Sequence, residues 1–390
     1  MPRRTRIAAP LATIEDIRAR IKPFLGSPLE FIAKEIEGQT AFISTAECDQ
    51  SLKDEILKVF GSQIETVLNL LPTTFGDRFW FDAQLLNEIA CTWNQETQRL
   101  SGTILPKANI EWSHGSAFIT LGDGNEQRKS VNVISVPGKD ELNEIDLLQY
   151  PWMCHELAHN LFYYDDSFFV NTFTPKLTQV LNALRLRGIA DHGSARAKSQ
   201  AVINKIAEFW TPTLTHKNWA HETAMDIVAL WACGPAFLAA FEDEIEDQGK
   251  DPYLLNKAHP PYALRTIALL RASKTLGWSR YTKGMRSILE NWRKSKWVKH
   301  ADNTYRALCD PQLTEAVVDC ALSTCEHFSL SLCTEASLQR IEKTIRQDCI
   351  PEFGIDLIIA AWLVRERRDE VSYDQWQTNA IHSLSESISS

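Results

Sequence analysis

The chain has no hydrophobic run long enough to cross a membrane. The longest apolar stretch near its C-terminal end, 357–364, falls far short of the ~20 residues that a membrane-spanning helix needs. Three arginines lie within the first six residues, but no apolar segment of a secretory signal follows them. Instead, Ile14, Ile17 and Ile21 recur at helical spacing. We therefore expect neither membrane insertion nor export.

The chain also lacks a basic surplus, since 41 Lys and Arg residues face 50 Asp and Glu and the net charge is −9. Nucleic-acid-binding proteins usually carry a basic excess, so we expect no nucleic-acid partner. The nine cysteines include no Cys-x-x-Cys pair, which favours reduced thiols over a disulfide framework. Together, these features predict a cytoplasmic protein with no membrane or nucleic-acid partner.

Hydrophobic periodicity predicts helices over the first hundred residues and again from residue 152 to the C-terminal tail. Between them, 117–121 and 131–136 alternate apolar with polar or small side chains, a pattern typical of two antiparallel strands. The pattern thus predicts a mainly α protein with a small antiparallel or mixed β-sheet, an α+β fold. The predicted parts are an N-terminal helical region at 1–105, a central domain at 106–276 that contains the strands, and a C-terminal helical region at 277–390.

One pentapeptide, 155–159, has the spacing of a metal site on a helix. Because residues four apart share a helical face, His155 and His159 can direct two imidazoles at one ion. Zinc favours such nitrogen ligands, and Glu156 would act as general base on a water that the metal activates. The plainer alternative is a pair of buried histidines that backbone carbonyls satisfy. The pattern favours a zinc site with one ion per chain.

A zinc site of this kind needs a third protein ligand downstream. The candidates are His192, His216, His221, Glu222 and Asp226. Glu222 and Asp226 are four residues apart on an otherwise apolar helix. Burying two carboxylates there costs much free energy unless they bind a metal or accept hydrogen bonds. We expect Glu222 to bind zinc and Asp226 to accept the Nδ1–H of a ligand histidine. His221 is the competing ligand. The alternative without a metal is a solvated Glu/Asp pair on an exposed helix face.

The His-Glu-x-x-His motif with a later Glu-x-x-x-Asp helix resembles the gluzincin clan of zinc metallopeptidases. The 63 positions between His159 and Glu222 resemble the spacing of the CAAX-prenyl endopeptidase-like group. His259 followed by Pro260 and Arg265 is similar to that group's His-Pro…Arg segment. The resemblance implies a zincin-like core, with His259 as oxyanion stabiliser and Arg265 binding a substrate carbonyl or orienting the aspartate. A plain helix start is the alternative for the His-Pro-Pro segment.

The resemblance also implies a substrate-holding edge strand at 131–136, which would bind an extended peptide by strand addition. The function predicted on these grounds is a zinc metalloendopeptidase with a protein or peptide substrate. A regulatory protein partner could bind through the helical flanks. Two alternatives remain open: a non-hydrolytic zinc-containing interaction or sensor protein, and a hydrolase of non-peptide amides. Retention of Glu156 argues against the first of them.

Overall fold

The computed structural model describes the backbone of three strands between residues 103 and 137 and most of residues 146–390. The gaps in the second range are 165, 191–193, 213–217, 248–250, 302, 352–353, 368–369 and 390. Of the first hundred residues it describes six, which are Glu15, Arg18, Glu37, Ala41, Leu85 and Ile89. The chain divides into two compact units, one of residues 1–83 and 101–138 and the other of 84–100 and 139–390. The predicted domain boundaries at residues 105 and 276 stay predictions.

The first unit contains a three-stranded sheet. Its strands are β1 at Thr103–Asn109, β2 at Ser116–Thr120 and β3 at Ser130–Pro137. Strand β3 lies in the middle, parallel to β1 and antiparallel to β2. The prediction of an edge strand at 131–136 is therefore wrong. Both sides of β3 are already hydrogen-bonded to a neighbour, so it has no free edge to which a peptide could add.

The second unit is helical, and twelve α-helices lie in its described residues. They are α1 Pro151–Tyr164, α2 Ser167–Ala190, α3 Ser194–Trp210, α4 Trp219–Cys233, α5 Pro235–Asp247, α6 Tyr262–Thr275, α7 Lys283–Lys294, α8 Asn303–Leu308, α9 Pro311–His327, α10 Glu335–Arg346, α11 Ile355–Arg365 and α12 Glu370–Ser389. Three short 3₁₀ helices accompany them, at Leu147–Gln149, Ser279–Tyr281 and Lys296–His300.

The predicted fold class, an α+β zincin-like core built with a small sheet, is wrong. The described part of the unit that carries His155, His159 and Glu222 is helical and contains no strand. The physical reason is that, in the part of the unit that the structure describes, helices cover the apolar surface of the site helices, with α4 packed against α1, α6 and α9. The segments that alternate apolar and polar side chains belong to the other unit.

Helix α4 is the central element of the helical unit. Every one of its residues is buried, because its sequence WAHETAMDIVALWAC is apolar on almost all sides. The Asn218 side chain accepts a hydrogen bond from the His221 backbone N–H at 3.1 Å and so caps the first turn. These packing and capping interactions fix the position of Glu222 and Asp226 within the protein interior.

Gly234 ends α4 and divides the helical segment 216–241, as the Gly234-Pro235 pair inside that segment predicted. Its φ of 55° lies in the left-handed region, which glycine adopts without steric cost. A Cβ there would come within 2.7 Å of the Cys333 Sγ atom, so the close approach also requires glycine. Pro235 then starts α5, since proline suits the first turn of a helix.

We expect Gly234→Ala to destabilise the protein more than Gly277→Ala does. Both glycines have positive φ, but a Cβ at Gly277 would meet no atom within 4 Å. Both changes carry the backbone strain of about 1 kcal/mol, and only the first adds a steric clash of about 1–3 kcal/mol. Urea unfolding measures the difference. If the two variants lost equal free energy of unfolding, the Cys333 contact would not be tight.

Candidate metal centre

Two histidines of α1 form one side of the site. His155 and His159 lie one turn apart, and their exposed fractions are only 4% and 9%. Their rings meet edge to face with centroids 5.1 Å apart. Apolar residues around them, such as Met153, Leu157 and Phe162, anchor α1 in the core and hold both imidazoles in place.

Glu222 on α4 completes a group of three ligand atoms. Its Oε2 atom lies 3.6 Å from the His155 Nε2 atom, and its Oε1 atom lies 3.7 Å from the His159 Nε2 atom. The ligand atoms of the three residues all lie within 4.8 Å of one another. Tetrahedral zinc, with bonds of ~2.0–2.1 Å, separates its ligands by about 3.4 Å, so a small inward shift would suffice. This buried group can bind a metal ion, and the described residues contain no other such group.

Asp226 contacts the His155 ring at Nδ1, the nitrogen that faces away from the ligand group. Its Oδ1 atom lies 2.9 Å from the His155 Nδ1 atom, and its side chain is fully buried. A hydrogen bond donated from Nδ1–H leaves the Nε2 lone pair of His155 available to a metal. Glu222 and Asp226 are four residues apart and share a face of α4. Both carboxylates therefore contact the His155 ring.

Arg265 on α6 binds Asp226 through two hydrogen bonds. Its Nε atom donates to Oδ2 at 2.7 Å and its Nη2 atom donates to Oδ1 at 2.6 Å. The fork of the guanidinium matches the carboxylate, and the pair is buried. Of the two roles predicted for Arg265, the geometry corresponds to orienting the aspartate. Arg265 is only 7% exposed and is fixed to Asp226, which in turn contacts His155.

Three aromatic rings surround the Arg265 guanidinium, and the sequence interpretation did not identify them. The guanidinium carbon lies 5.4 Å from the Trp152 ring centroid, 5.3 Å from Phe241 and 5.8 Å from Tyr262. Cation–π attraction offsets part of the cost of burying the charge. A sequence signal existed, because Trp152 and Tyr262 each precede a site residue by three positions and therefore share its helical face.

The charges of the group shift one another's pKa values in the metal-free protein. Burial lowers the pKa of His155, but the bonds to Asp226 and Glu222 outweigh it and raise that pKa to about 9. Burial also raises the pKa of Glu222, yet its contacts with His155 and His259 hold that pKa well below its usual range. For His159, burial dominates and lowers the pKa. Against the effect of burial, the Arg265 charge depresses the pKa of Asp226.

Glu156 lies on α1 immediately after the first histidine. Its exposed fraction is 6%, and its negative charge is close enough to raise the pKa of both His155 and His159. It is not part of the group of three ligand atoms. The structure therefore holds a buried carboxylate beside the candidate metal site but outside the ligand set.

His259 contacts the site from the segment before α6. Its Nδ1 atom lies 3.1 Å from the Glu222 Oε2 atom, while its side chain is 60% exposed. Pro260 follows, and Pro261 occupies the N-cap of α6, so the plain helix-start description also fits this segment. His259 is thus the predicted site residue with the greatest access to solvent, and it lies outside the buried ligand group.

His221, the competing candidate ligand, does not join the group. His221 is fully buried, and its Nδ1 atom accepts a hydrogen bond from the Asn218 amide at 2.6 Å. Its Nε2 atom lies 3.4 Å from the Asp166 Oδ2 atom. His221 is therefore held by contacts separate from the ligand group, which leaves Glu222 as the third member. His192 and His216 lie outside the described residues.

Comparison with known proteins gives no identification, since no known protein family matches the chain and no curated protein or solved structure is similar to it. The gluzincin resemblance therefore rests on the motif residues alone. No helix among the described residues is long and apolar enough to cross a membrane. The described residues contain a buried His155, His159 and Glu222 group that can bind a metal ion.

We expect Asp226→Asn to weaken metal binding by about 10- to 100-fold, because the amide no longer fixes His155. The same change leaves the buried Arg265 without its anion and lowers the free energy of unfolding by about 3–5 kcal/mol. A double variant, Asp226→Asn with Arg265→Met, should recover most of the stability and none of the metal affinity. Zinc competition titrations and urea unfolding measure the two effects. Recovery of both properties together would contradict a positioning role for Asp226.

Metal binding should release a proton from His155. The raised pKa of about 9 means that the metal-free imidazole is protonated near neutrality, whereas a ligand histidine must be neutral. The apparent metal affinity should therefore rise as pH increases from about 7 to 9, by about tenfold per pH unit, and level off above that. Calorimetry in buffers of different ionisation enthalpy counts the released protons. A pH-independent affinity over this range would contradict the assignment of His155 as a ligand.

Proposed function

We propose that the protein is a zinc-dependent endopeptidase that hydrolyses peptide bonds of a protein or peptide substrate. The supporting observation is the buried Glu156 beside a three-residue ligand group that does not include it. A closed structural zinc site uses four protein ligands and needs no neighbouring base. Three protein ligands with an adjacent carboxylate are what a hydrolytic site uses.

The donor set favours zinc over other divalent ions. Two neutral imidazoles and one carboxylate form the His₂Glu set of catalytic zinc sites, whereas magnesium and calcium prefer sets made of oxygen alone. Bound zinc would polarise the scissile carbonyl and make a water molecule acidic enough to deprotonate near neutral pH. His155, His159 and Glu222 would hold it.

The remaining roles belong to protein side chains. Glu156 would take the proton of the attacking water and return it to the leaving amine. His259 is exposed enough to meet a substrate, and a hydrogen bond from its imidazole would stabilise the oxyanion. Asp226 and Arg265 would keep His155 in the required tautomer and orientation. The cytoplasmic location and a regulatory partner at the helical flanks stay predictions.

One observation favours a second candidate, a non-hydrolytic zinc-containing interaction or sensor protein. His259 lies 3.1 Å from Glu222, and its exposed side chain could move to become a fourth protein ligand. Such a closed site would leave no position for a substrate. The two candidates differ in what His259→Ala does. An endopeptidase should keep its zinc affinity and lose turnover, whereas a closed site should lose zinc affinity.

We expect Glu156→Gln to lower kcat for cleavage of denatured casein by about 10²- to 10⁴-fold, because the amide cannot accept the proton. Zinc should still bind one to one, since Glu156 is outside the ligand group. Glu326→Gln, an exposed change on α9, is the matched control and should leave both properties unchanged. If Glu156→Gln cleaved casein as fast as the parent protein does, the peptidase mechanism would be wrong.

A further inference from the structure

A basic surface lies on α7 and the 3₁₀ helix that follows it. We use the name for six exposed cations between residues 283 and 300, which are Lys283, Arg286, Arg293, Lys294, Lys296 and Lys299. Glu290 is the single carboxylate in this range. This local excess is unusual in a chain whose net charge is −9.

The basic surface faces solvent because α7 buries its opposite side. Met285, Ile288 and Leu289 are buried at helical spacing. Leu289 packs in a cluster with Tyr253 and Ala263. Since these contacts fix the rotation of α7, the cations remain on its outer side.

The six cations have no carboxylate partner among the described residues. Elsewhere on this unit, besides the buried Arg265, five arginines are held by acidic side chains, and these are Arg271, Arg280, Arg340, Arg346 and Arg367. Within the basic surface, the Lys296 ammonium lies 4.5 Å from the Trp297 ring centroid, and Arg286 donates to the Thr282 hydroxyl. Neither contact neutralises a charge, so six cations and one carboxylate, Glu290, leave the surface with a local positive excess.

The basic surface borders the segment that carries His259. Tyr253 and Ala263, which pack against Leu289, lie on either side of His259 along the chain. His300 at the end of the surface also bonds to Asp251 in that segment. His259 in turn contacts Glu222, so residues 251–263 link the basic surface to the candidate metal centre.

We propose that the basic surface binds an acidic segment of the polypeptide substrate; this inference rests on the proposed peptidase function. Charge complementarity identifies the partner. Helix α7 has 12 residues and is about 18 Å long, a length that about six residues of extended peptide cover. Helix α5, which packs against α7, carries five carboxylates between residues 242 and 247. Those charges would repel a long nucleic acid or an anionic membrane that extended past the cations.

Peptide binding to the full-length Glu156→Gln protein tests the proposal without cleavage. A labelled glutamate decapeptide should bind at low salt and weaken as salt rises past about 0.15 M. Adding K294E, K296E and K299E should weaken binding by at least about tenfold. The matched control, R185E with K274E and K343E, changes the net charge equally at exposed positions outside the surface and should stay within about twofold. Circular dichroism and Tm confirm that each variant folds.

Three binding results would overturn the proposal. They are no salt-sensitive binding of the glutamate peptide, an equal loss in the control variant, and tighter binding of a thymidine decanucleotide or of phosphatidylserine vesicles. None of these assays depends on hydrolysis, so they separate this inference from the peptidase proposal.

Turnover then tests the substrate assignment. Two peptides share one cleavage segment, and the flanks carry glutamate in one and glutamine in the other. The protein with Glu156 intact should prefer the glutamate peptide in kcat/KM, and the triple reversal should lower that preference by at least about tenfold. The kcat/KM for the glutamine peptide should not change. An unchanged preference would overturn the assignment, whereas loss of cleavage of both peptides in the parent protein would instead contradict the peptidase function.

Discussion

Two carboxylates, Glu222 and Asp226, lie on a helix that its neighbours cover on every side, and the site depends on how their charges are balanced. Burying an ion costs several kcal/mol unless partners compensate. Arg265 neutralises Asp226 through two hydrogen bonds, and three histidines surround Glu222. In the metal-free protein a proton on His155 supplies part of the balance, as its raised pKa indicates. A divalent ion would replace that proton and bring the ligand atoms closer.

The balance requires three helices to meet at fixed distances. Helix α1 supplies the histidines, α4 the carboxylates and α6 the arginine, and small residues let the first two approach closely. The Cys154 and Cys233 Sγ atoms lie 3.2 Å apart as buried thiols between α1 and α4. A larger side chain at either position would force the helices apart and separate His155 from Glu222.

Much of the site followed from helical periodicity, because the relevant spacings are local. The four-residue intervals from His155 to His159 and from Glu222 to Asp226 indicated which side chains share a face, and the structure brings these residues together. Only the resemblance named the aspartate as a possible partner of Arg265, and spacing could not indicate the exposure of His259, because both depend on tertiary packing. The Gly234-Pro235 pair indicated a kink or division within 216–241, but it could not indicate the contact with Cys333, 99 residues away, that also requires glycine there. The α+β prediction was wrong because the alternation of apolar and polar residues indicates a strand but does not indicate in which of the two units the strand lies.

Anomalous diffraction at the zinc absorption edge from zinc-bound crystals of the full chain tests the central claim most directly. We expect one peak, at about 2.0–2.2 Å from the His155 Nε2 atom, the His159 Nε2 atom and a carboxylate oxygen of Glu222. We also expect that the fourth ligand is not a protein atom. A peak coordinated by His221, or a site closed by His259 as a fourth protein ligand, would contradict a hydrolytic metal centre in this protein.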